Sequence, residues 1–396
     1  MIAFTHYSID SRVRREAEAL VSRGDEVDCI CCHEEALKKK RNLNGVRLFQ
    51  LPVTKYRGGS TVSYLFSYLS FFVQAAFLVT FLQFKKKYHI VQVHTMPDFL
   101  VFATLIPKAL GAKIILDVHD LMPELYMSKF EVNEKHLLTK FIKWIEQRSI
   151  AFAHEAIAVH IPHRDILVKH GNPKEKFTIV LNLADPKVFG RVENIQRITD
   201  GKFRLIYHGT IAKRHGLDIA IRAVALAKKN IHNIEFSIIG AGDDCERLIG
   251  IVDEMGLENC VRLTNGSVLL EEIPQRIMQA DVAIVPVLRD PFTRYQLPVK
   301  VLEYIWLGIP VISSRSDTLE FYFDKKMIRY FNPGDESELA NHILDLHDNP
   351  EKREHLVANA KRFNEKFSWD SQKIAYYKLI DSLCFNTESQ SAHSTS

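Results

Sequence analysis

Apolar residues recur along this chain in two alternating rhythms. Short runs rich in β-branched residues, at 2–5, 27–32, 90–94 and 113–118, alternate with longer stretches whose apolar positions fall three and four apart. Residues 12–23 are of the second kind, with Val13, Ala17, Leu20 and Val21 on one helical face. Residues 99–110 read as a further helix between two strands. Such β-α-β repetition calls for a parallel sheet with helices on both faces, because a parallel crossover needs a long connection and a helix supplies it. The rhythm stops in a polar stretch holding Pro186 and Gly190, so 186–202 reads as a linker. It resumes with a strand at 203–208 and a helix at 217–229, then a strand at 235–239 and a helix at 243–254. Strands at 261–263 and 282–286, a helix at 299–307 and a strand at 310–313 follow. The predicted fold is α/β, with two doubly wound Rossmann-like domains, 1–185 and 203–366, facing a cleft at the carboxyl ends of their sheets. A C-terminal helix is expected over 367–385, with the first domain as the surface open to it. The final NTESQSAHSTS, 386–396, has nothing to bury and is expected to be disordered.

Composition narrows the classes without changing this picture. Of 396 residues, 46% are hydrophobic and 25% charged, which is ordinary for a soluble globular chain. Fifty-two Lys and Arg against 48 Asp and Glu leave a net charge of +4, too little for a nucleic-acid footprint, so no nucleic acid is expected as partner. Six cysteines without a repeated CxxC framework read as free thiols in a reducing, cytoplasmic compartment. The opening MIAFTH enters a strand at once and leaves no room for a leader. Residues 62–84 carry no charge but are interrupted by Ser63, Ser67, Ser70, Gln74, Thr80 and Gln83. The interruptions favour a helix lying on the first domain, with an interfacial helix next and a membrane span last. Basic clusters at 38–41 and 85–87 are solvated faces or contacts to anionic lipid head groups.

Three segments of the second half carry candidate chemistry. In RYQLPVKVLEYIWLGIPVISS, 294–314, Pro298 opens a helix bearing Lys300 and Glu303. A helix start beside a cation suits a diphosphate, and a carboxylate one turn later can accept hydrogen bonds from sugar hydroxyls. The competing reading is a surface helix with an i, i+3 Lys–Glu pair. YHGTIAKRHGLDIAIRAV, 207–224, turns at Gly209 and passes Lys213, Arg214 and His215 before its helix, and IIGAGDDCERL, 238–248, turns at Gly240 and Gly242. Three such turns, two with cations, predict a nucleoside-diphosphate pocket. In the first half, His119 and Asp120 end one strand and His94 and Asp98 end its neighbour.

These segments, with DSRVRREAEALVSRGDEV at 10–27, VHTMPDFLVFATLIPKALGAKIILDVHDLMPELY at 93–126 and FSWDSQKIAYYKLIDSL at 367–383, resemble the family-four glycosyltransferases of GT-B fold. The resemblance implies a nucleotide-sugar donor as co-substrate, no cofactor or required metal, and retention of anomeric configuration. Glu303 matches the family's second glutamate, which holds the donor ribose. Lys300 stands where a subgroup has LPxKxxEY. Gly209, Thr210, Gly240 and Gly242 fall on the donor side. Tyr295 replaces the family's earlier glutamate and Thr210 its usual arginine, so the phosphate charge is assigned to Arg214. His119 matches a histidine contacting the donor sugar, which makes His119, Arg214 and Lys300 the candidate catalytic residues; His94, Asp98, Asp120 and Tyr295 rank second. HYSIDS lacks the glycines that many relatives place there.

The expected reaction moves a sugar to an acceptor hydroxyl, a leaving phosphate oxygen taking the acceptor proton. A glycan or lipid-linked acceptor at the inner face of an anionic membrane, in surface polysaccharide or glycolipid assembly, follows from the apolar run and its basic flanks. The alternatives are a nucleotide-sugar epimerase or hydrolase of the same fold, and a degenerate subunit that binds nucleotide sugar without turnover.

Overall fold

The computed structural model describes residues 1–37, 41–53, 61–190, 197–266 and 268–392. The chain divides into two compact units, one formed by Met1–Asn182 with the chain from Asp370 onward, the other by Leu183–Trp369.

The first unit is built on strands β1 (Ile2–Ala3), β2 (Asp28–Cys32), β3 (Asn42–Leu43), β4 (Val46–Leu51), β5 (Ile90–His94), β6 (Lys113–Val118), β7 (Glu155–Ala158) and β8 (Phe177–Ile179), in spatial order β3-β4-β2-β1-β5-β6-β7-β8. Neighbours are parallel except in the β3/β4 hairpin. Strand β2 is buried at every position, as a parallel strand covered on both faces should be, and its three cysteines are free thiols. The helix Ser11–Arg23 starts where the Asp10 carboxylate accepts the Val13 amide at 3.1 Å and stops at Gly24, whose φ of 103° suits the left-handed closing turn.

One of the predicted helices departs from the pattern reading, and the uncharged run keeps to it. Residues 99–110 are not one helix but a 3₁₀ segment, Asp98–Thr104, followed by a short α-helix, Leu105–Ala109. Pro107 explains the break, because proline fits the first turn of an α-helix but not its interior. The uncharged run forms the helix Thr61–Lys86, whose inward residues Phe71, Ala75, Val79 and Leu82 are buried. Each such apolar side chain larger than Ala contributes roughly 1.5–3 kcal/mol of burial.

The helix Trp369–Ala392 packs on the first unit. Tyr376 donates to Gln92 Oε1 at 2.6 Å, Tyr377 to the Ala19 carbonyl at 2.7 Å, and Arg23 pairs with Asp381 at 2.8 Å. The backbone stays helical into the stretch expected to be disordered, because adding residues to an existing helix needs no new nucleus. Residues 393–396 lie outside the described residues.

The second unit holds β9 (Phe203–His208), β10 (Ile234–Gly240), β11 (Val261–Asn265), β12 (Val282–Val285), β13 (Val311–Ser314) and β14 (Arg329–Phe331), all parallel, in order β11-β10-β9-β12-β13-β14. The helix Leu217–Ala227 turns Leu217, Ala220, Ile221 and Val224 into its core, the i, i+3, i+4, i+7 set that the pattern predicts. The described part of the 186–202 stretch belongs to this unit rather than standing free. Asp185 caps a short helix, Pro186–Phe189, Arg197 donates to the Ala280 carbonyl at 2.6 Å, and the Ile198 amide donates to Gln279 at 2.9 Å. Residues 191–196 lie outside the described residues. A polar composition marked the segment as loop, but Arg197 and Ile198 have partners in the residues that lead into β12.

Candidate functional site

In the second unit the chemistry gathers where β9 ends. Strand alternation sends Tyr207 and His208 to opposite faces, and the helix Val299–Trp306 is fastened to both. Lys300 Nζ donates to the Tyr207 hydroxyl at 2.6 Å and lies 4.0 Å from its ring centroid. The hydroxyl donates to the Thr210 carbonyl at 2.7 Å, and His215 Nδ1 donates to the same carbonyl at 2.7 Å. On the other side His208 Nε2 stands 2.7 Å from Glu303 Oε2, and Nδ1 stands 2.8 Å from the Tyr304 hydroxyl, which also accepts the His208 amide at 2.9 Å. With a neutral ring, one tautomer satisfies all three contacts: Nε2–H donates to the carboxylate and Tyr304 donates to Nδ1. Lys300 and Glu303 are thus each anchored to the strand end, unlike a solvated Lys–Glu pair.

Electrostatics follow from this packing. Burial brings Lys300 down to about 7, the Arg214 charge acting in the same direction and Glu303 opposing. His215 is lowered to about 3, first by burial and then by Lys300, so it is neutral near pH 7. Arg214 lies in the turn Lys213–His215, its carbonyl accepting the Leu288 amide at 2.9 Å. Its buried Nε has no partner among the described residues, and its charge reaches Tyr207, His215 and Lys300. Arg214, Lys300 and Glu303 therefore share one electrostatic neighbourhood, at the start of the helix Val299–Trp306.

The glycines have a packing duty beside the donor contacts that the motif suggests. Beyond the strands the two loops stay paired, Gly209 N to Ile239 O at 2.9 Å and Ile211 N to Ala241 O at 3.0 Å. A Cβ on Gly240 would sit 1.9 Å from the Gly209 carbonyl oxygen, and one on Gly242 would sit 1.7 Å from that of Ile211. Both are required by loop-on-loop approach. At Gly209, with φ of 119°, a Cβ would come 3.1 Å from Lys300 Nζ. Thr210 contributes its carbonyl, its side chain being exposed. Tyr295 closes the 3₁₀ turn Thr293–Tyr295, under the Arg294 guanidinium at 4.7 Å, while Arg294 pairs with Asp317.

In the first unit the register pairs His94 with Asp117, and His119 lies two residues further along the same side. His94 Nδ1 and His119 Nε2 stand 2.9 Å and 3.1 Å from Asp117 Oδ2. Arg12 donates to both carboxylate oxygens, pairs with Glu16 at 3.3 Å, and Glu16 accepts from Gln92 at 2.7 Å. Burial opposes the Asp117 charge, but Arg12 and the two histidines outweigh it and hold the carboxyl well below its usual range. For His94, burial lowers the pKa, yet the Asp117 hydrogen bond and charge raise it overall. Ligand atoms of His94, Asp117 and His119 lie within 4.8 Å of one another, close enough for a metal ion. A metal on Oδ2 would have to displace the Arg12 Nε–H and set a second positive charge against the buried guanidinium, so the donor set fits a guanidinium better than an added cation. Asp98 is buried with Oδ1 unpartnered among the described residues, and burial with the Glu146 and Asp120 charges pushes its carboxyl well up.

Comparison with known proteins decides the family. A model of "Glycosyltransferase Family 4" matches residues 9–188, and one of "Glycosyl transferases group 1" matches residues 190–363. The chain belongs to family 4 of the glycosyltransferases. Among curated relatives of this family 4 chain, the amylovoran biosynthesis glycosyltransferase AmsK of Erwinia amylovora is 26% identical over 220 residues, 55% of this chain and 53% of the relative. A chitobiosyldiphosphodolichol beta-mannosyltransferase of Debaryomyces hansenii is 24% identical over 229 residues, 51% of this chain and 47% of the relative. The chain thus matches about half the length of each. Its fold is GT-B, like that of sucrose-phosphate synthase from Thermosynechococcus elongatus, with a TM-score of 0.75 and 17% identity over 96% of this chain and 98% of that one. HepE of Anabaena, solved with UDP-glucose, gives a TM-score of 0.71 and 14% identity over 96% and 98%.

Sequence reading of this family 4 chain did not single out Tyr207, His208 or Tyr304, nor Arg12, Glu16 and Asp117. Their signal was present only as polar residues at strand ends and at i, i+4 on the first helix. Which of them meet depends on sheet register, and the register is not written in any one segment.

Proposed function

We propose that this chain is a retaining glycosyltransferase that moves a sugar from a nucleoside-diphosphate sugar to a hydroxyl of a glycan or lipid-linked acceptor, in polysaccharide or glycolipid assembly. The observation that carries the reading is the docking of Lys300 and Glu303 to consecutive strand residues beside Arg214, which fixes two cations and a carboxylate in one place. In this reading Arg214, Lys300 and backbone amides neutralise the diphosphate as its charge grows, an interaction stronger in the transition state than in the ground state. Glu303 accepts from the ribose hydroxyls, and His119 orients the transferred sugar. The bond from the anomeric carbon to the diphosphate oxygen breaks, a bond to the acceptor oxygen forms on the same face, and the acceptor proton passes to the departing phosphate. No step calls on a metal. The names of the relatives support polysaccharide and lipid-linked glycan acceptors, and the UDP-glucose complex of HepE supports a nucleotide-sugar donor.

The test is a thermal-shift screen of UDP, GDP, ADP, CMP and dTDP, followed by turnover of the sugar conjugate of whichever stabilises the chain. One nucleotide should raise the melting midpoint, with the effect lost in Glu303→Ala. His119→Ala should keep nucleotide affinity and lose transfer. Nucleoside diphosphate released at the same rate with and without acceptor would replace transfer by hydrolysis, and wild-type turnover in both Arg214→Ala and Lys300→Ala would remove the phosphate assignment.

A further inference from the structure

The helix Thr61–Lys86 carries two apolar stripes. One is buried on the sheet, and the other, Phe66, Leu69, Val73, Phe77, Phe81 and Phe84, faces outward at steps of three and four, with Phe77 76% exposed and Phe66 72%. A surface helix normally turns polar residues outward, so a phenylalanine-rich outer stripe about 27 Å long is an unpartnered face. It does not stand alone. Phe72 packs edge-on against Phe99 and Phe102 against Phe152, so the 98–104 segment joins this helix to the helix Leu137–Phe152. That second helix exposes Phe141 and Trp144, stacked at 5.9 Å, and the short helix between them exposes Leu105 and Ile106.

Charge says what the face meets. The helix Thr61–Lys86 contains no acidic residue, and the only acids of 98–110 and of Leu137–Phe152, Asp98 and Glu146, are buried. Exposed cations interleave with the aromatics: Lys85 lies 4.3 Å from the Phe81 centroid, Arg148 lies 5.8 Å from that of Trp144, and Lys140 adjoins Phe141. Two copies of such a face would set cations against cations, which opposes a symmetric dimer. An anionic bilayer supplies apolar depth and diffuse negative charge together. The buried inner stripe keeps the helix on its sheet, so it lies on a membrane rather than crossing it.

We propose that this face, formed by the outer side of Thr61–Lys86 with Leu105, Ile106, Phe141 and Trp144, docks the first unit on an anionic lipid surface. The inference is independent of the donor site. It is tested with the full chain and vesicles of phosphatidylcholine with or without phosphatidylglycerol, read by co-sedimentation. Binding is expected only with phosphatidylglycerol, weakening as salt rises, with a blue shift of fluorescence absent in Trp144→Phe. Phe77→Ser with Phe81→Ser, and separately Lys85→Glu with Lys140→Glu, should each weaken binding about tenfold or more. Their melting midpoints should stay at the wild-type value, since the substituted side chains are exposed. Failure of the wild-type chain to bind phosphatidylglycerol vesicles, or unaltered binding by both double variants, would overturn the proposal. So would a dimer in sedimentation velocity that the phenylalanine variant abolishes, because a second copy would then cover the face.

Discussion

Lys300 is worth most attention among single residues because its charge is set by its surroundings. Held at about 7, it is half protonated near neutrality, and an arriving diphosphate should raise its affinity for the proton. Nucleoside diphosphate should therefore bind tightest below pH 7 and weaken as pH rises, by at most about tenfold per unit until the bound-state pKa is reached. Calorimetry in buffers of different ionisation enthalpy should detect proton uptake on binding above pH 7, and Lys300→Arg should flatten the profile. Asp117 makes the opposite case. Its depressed carboxyl contributes stability that is present above the unfolded value of about 3.9 and is lost as pH falls toward the folded value. Asp117→Asn takes from the buried Arg12 the carboxylate that it grips through two nitrogens, leaving only Glu16 to balance it, and urea unfolding should show a loss of about 3–5 kcal/mol.

At the level of elements, the apolar rhythm was enough to place most strands within a residue or two. It was enough because parallel strands buried on both faces leave continuous β-branched runs. It failed over 98–110, where Pro107 breaks a regular pattern, and it gave no sign that the exposed residues Arg197 and Ile198 are hydrogen-bonded to the second unit. The GxG turn was legible as a turn, but its reason was not. The sequence cannot reveal that β10's loop lies against β9's, so the clearance that Gly240 and Gly242 provide went unread. Gly242→Ala should accordingly destabilise the second unit by about 1–3 kcal/mol or more, without any nucleotide present, as read from the melting midpoint of the free chain. An unchanged midpoint would mean that the loops part easily and that the glycine is kept for another purpose.

For the molecule as a whole, the division into two doubly wound units was readable from the repetition of β-α-β, whereas the polar relay inside the first unit was not. That relay runs from Tyr376 through Gln92, Glu16 and Arg12 to Asp117 and both histidines, drawing on residues hundreds of positions apart. If the donor diphosphate binds where proposed, hydrogen exchange should slow at 208–216 and 298–304 when nucleotide is added, with the peptides around Arg12 and Asp117 unchanged. Slowing confined to the first unit would relocate the binding site. The return of the last helix to the first unit has a further implication for how the chain is made. Synthesis finishes the second unit before the tyrosines that complete the first have left the ribosome, so the unit begun earliest is the one that closes last. A chain ending at residue 368 would leave the Gln92 side chain and the Ala19 carbonyl of the first unit without their phenols.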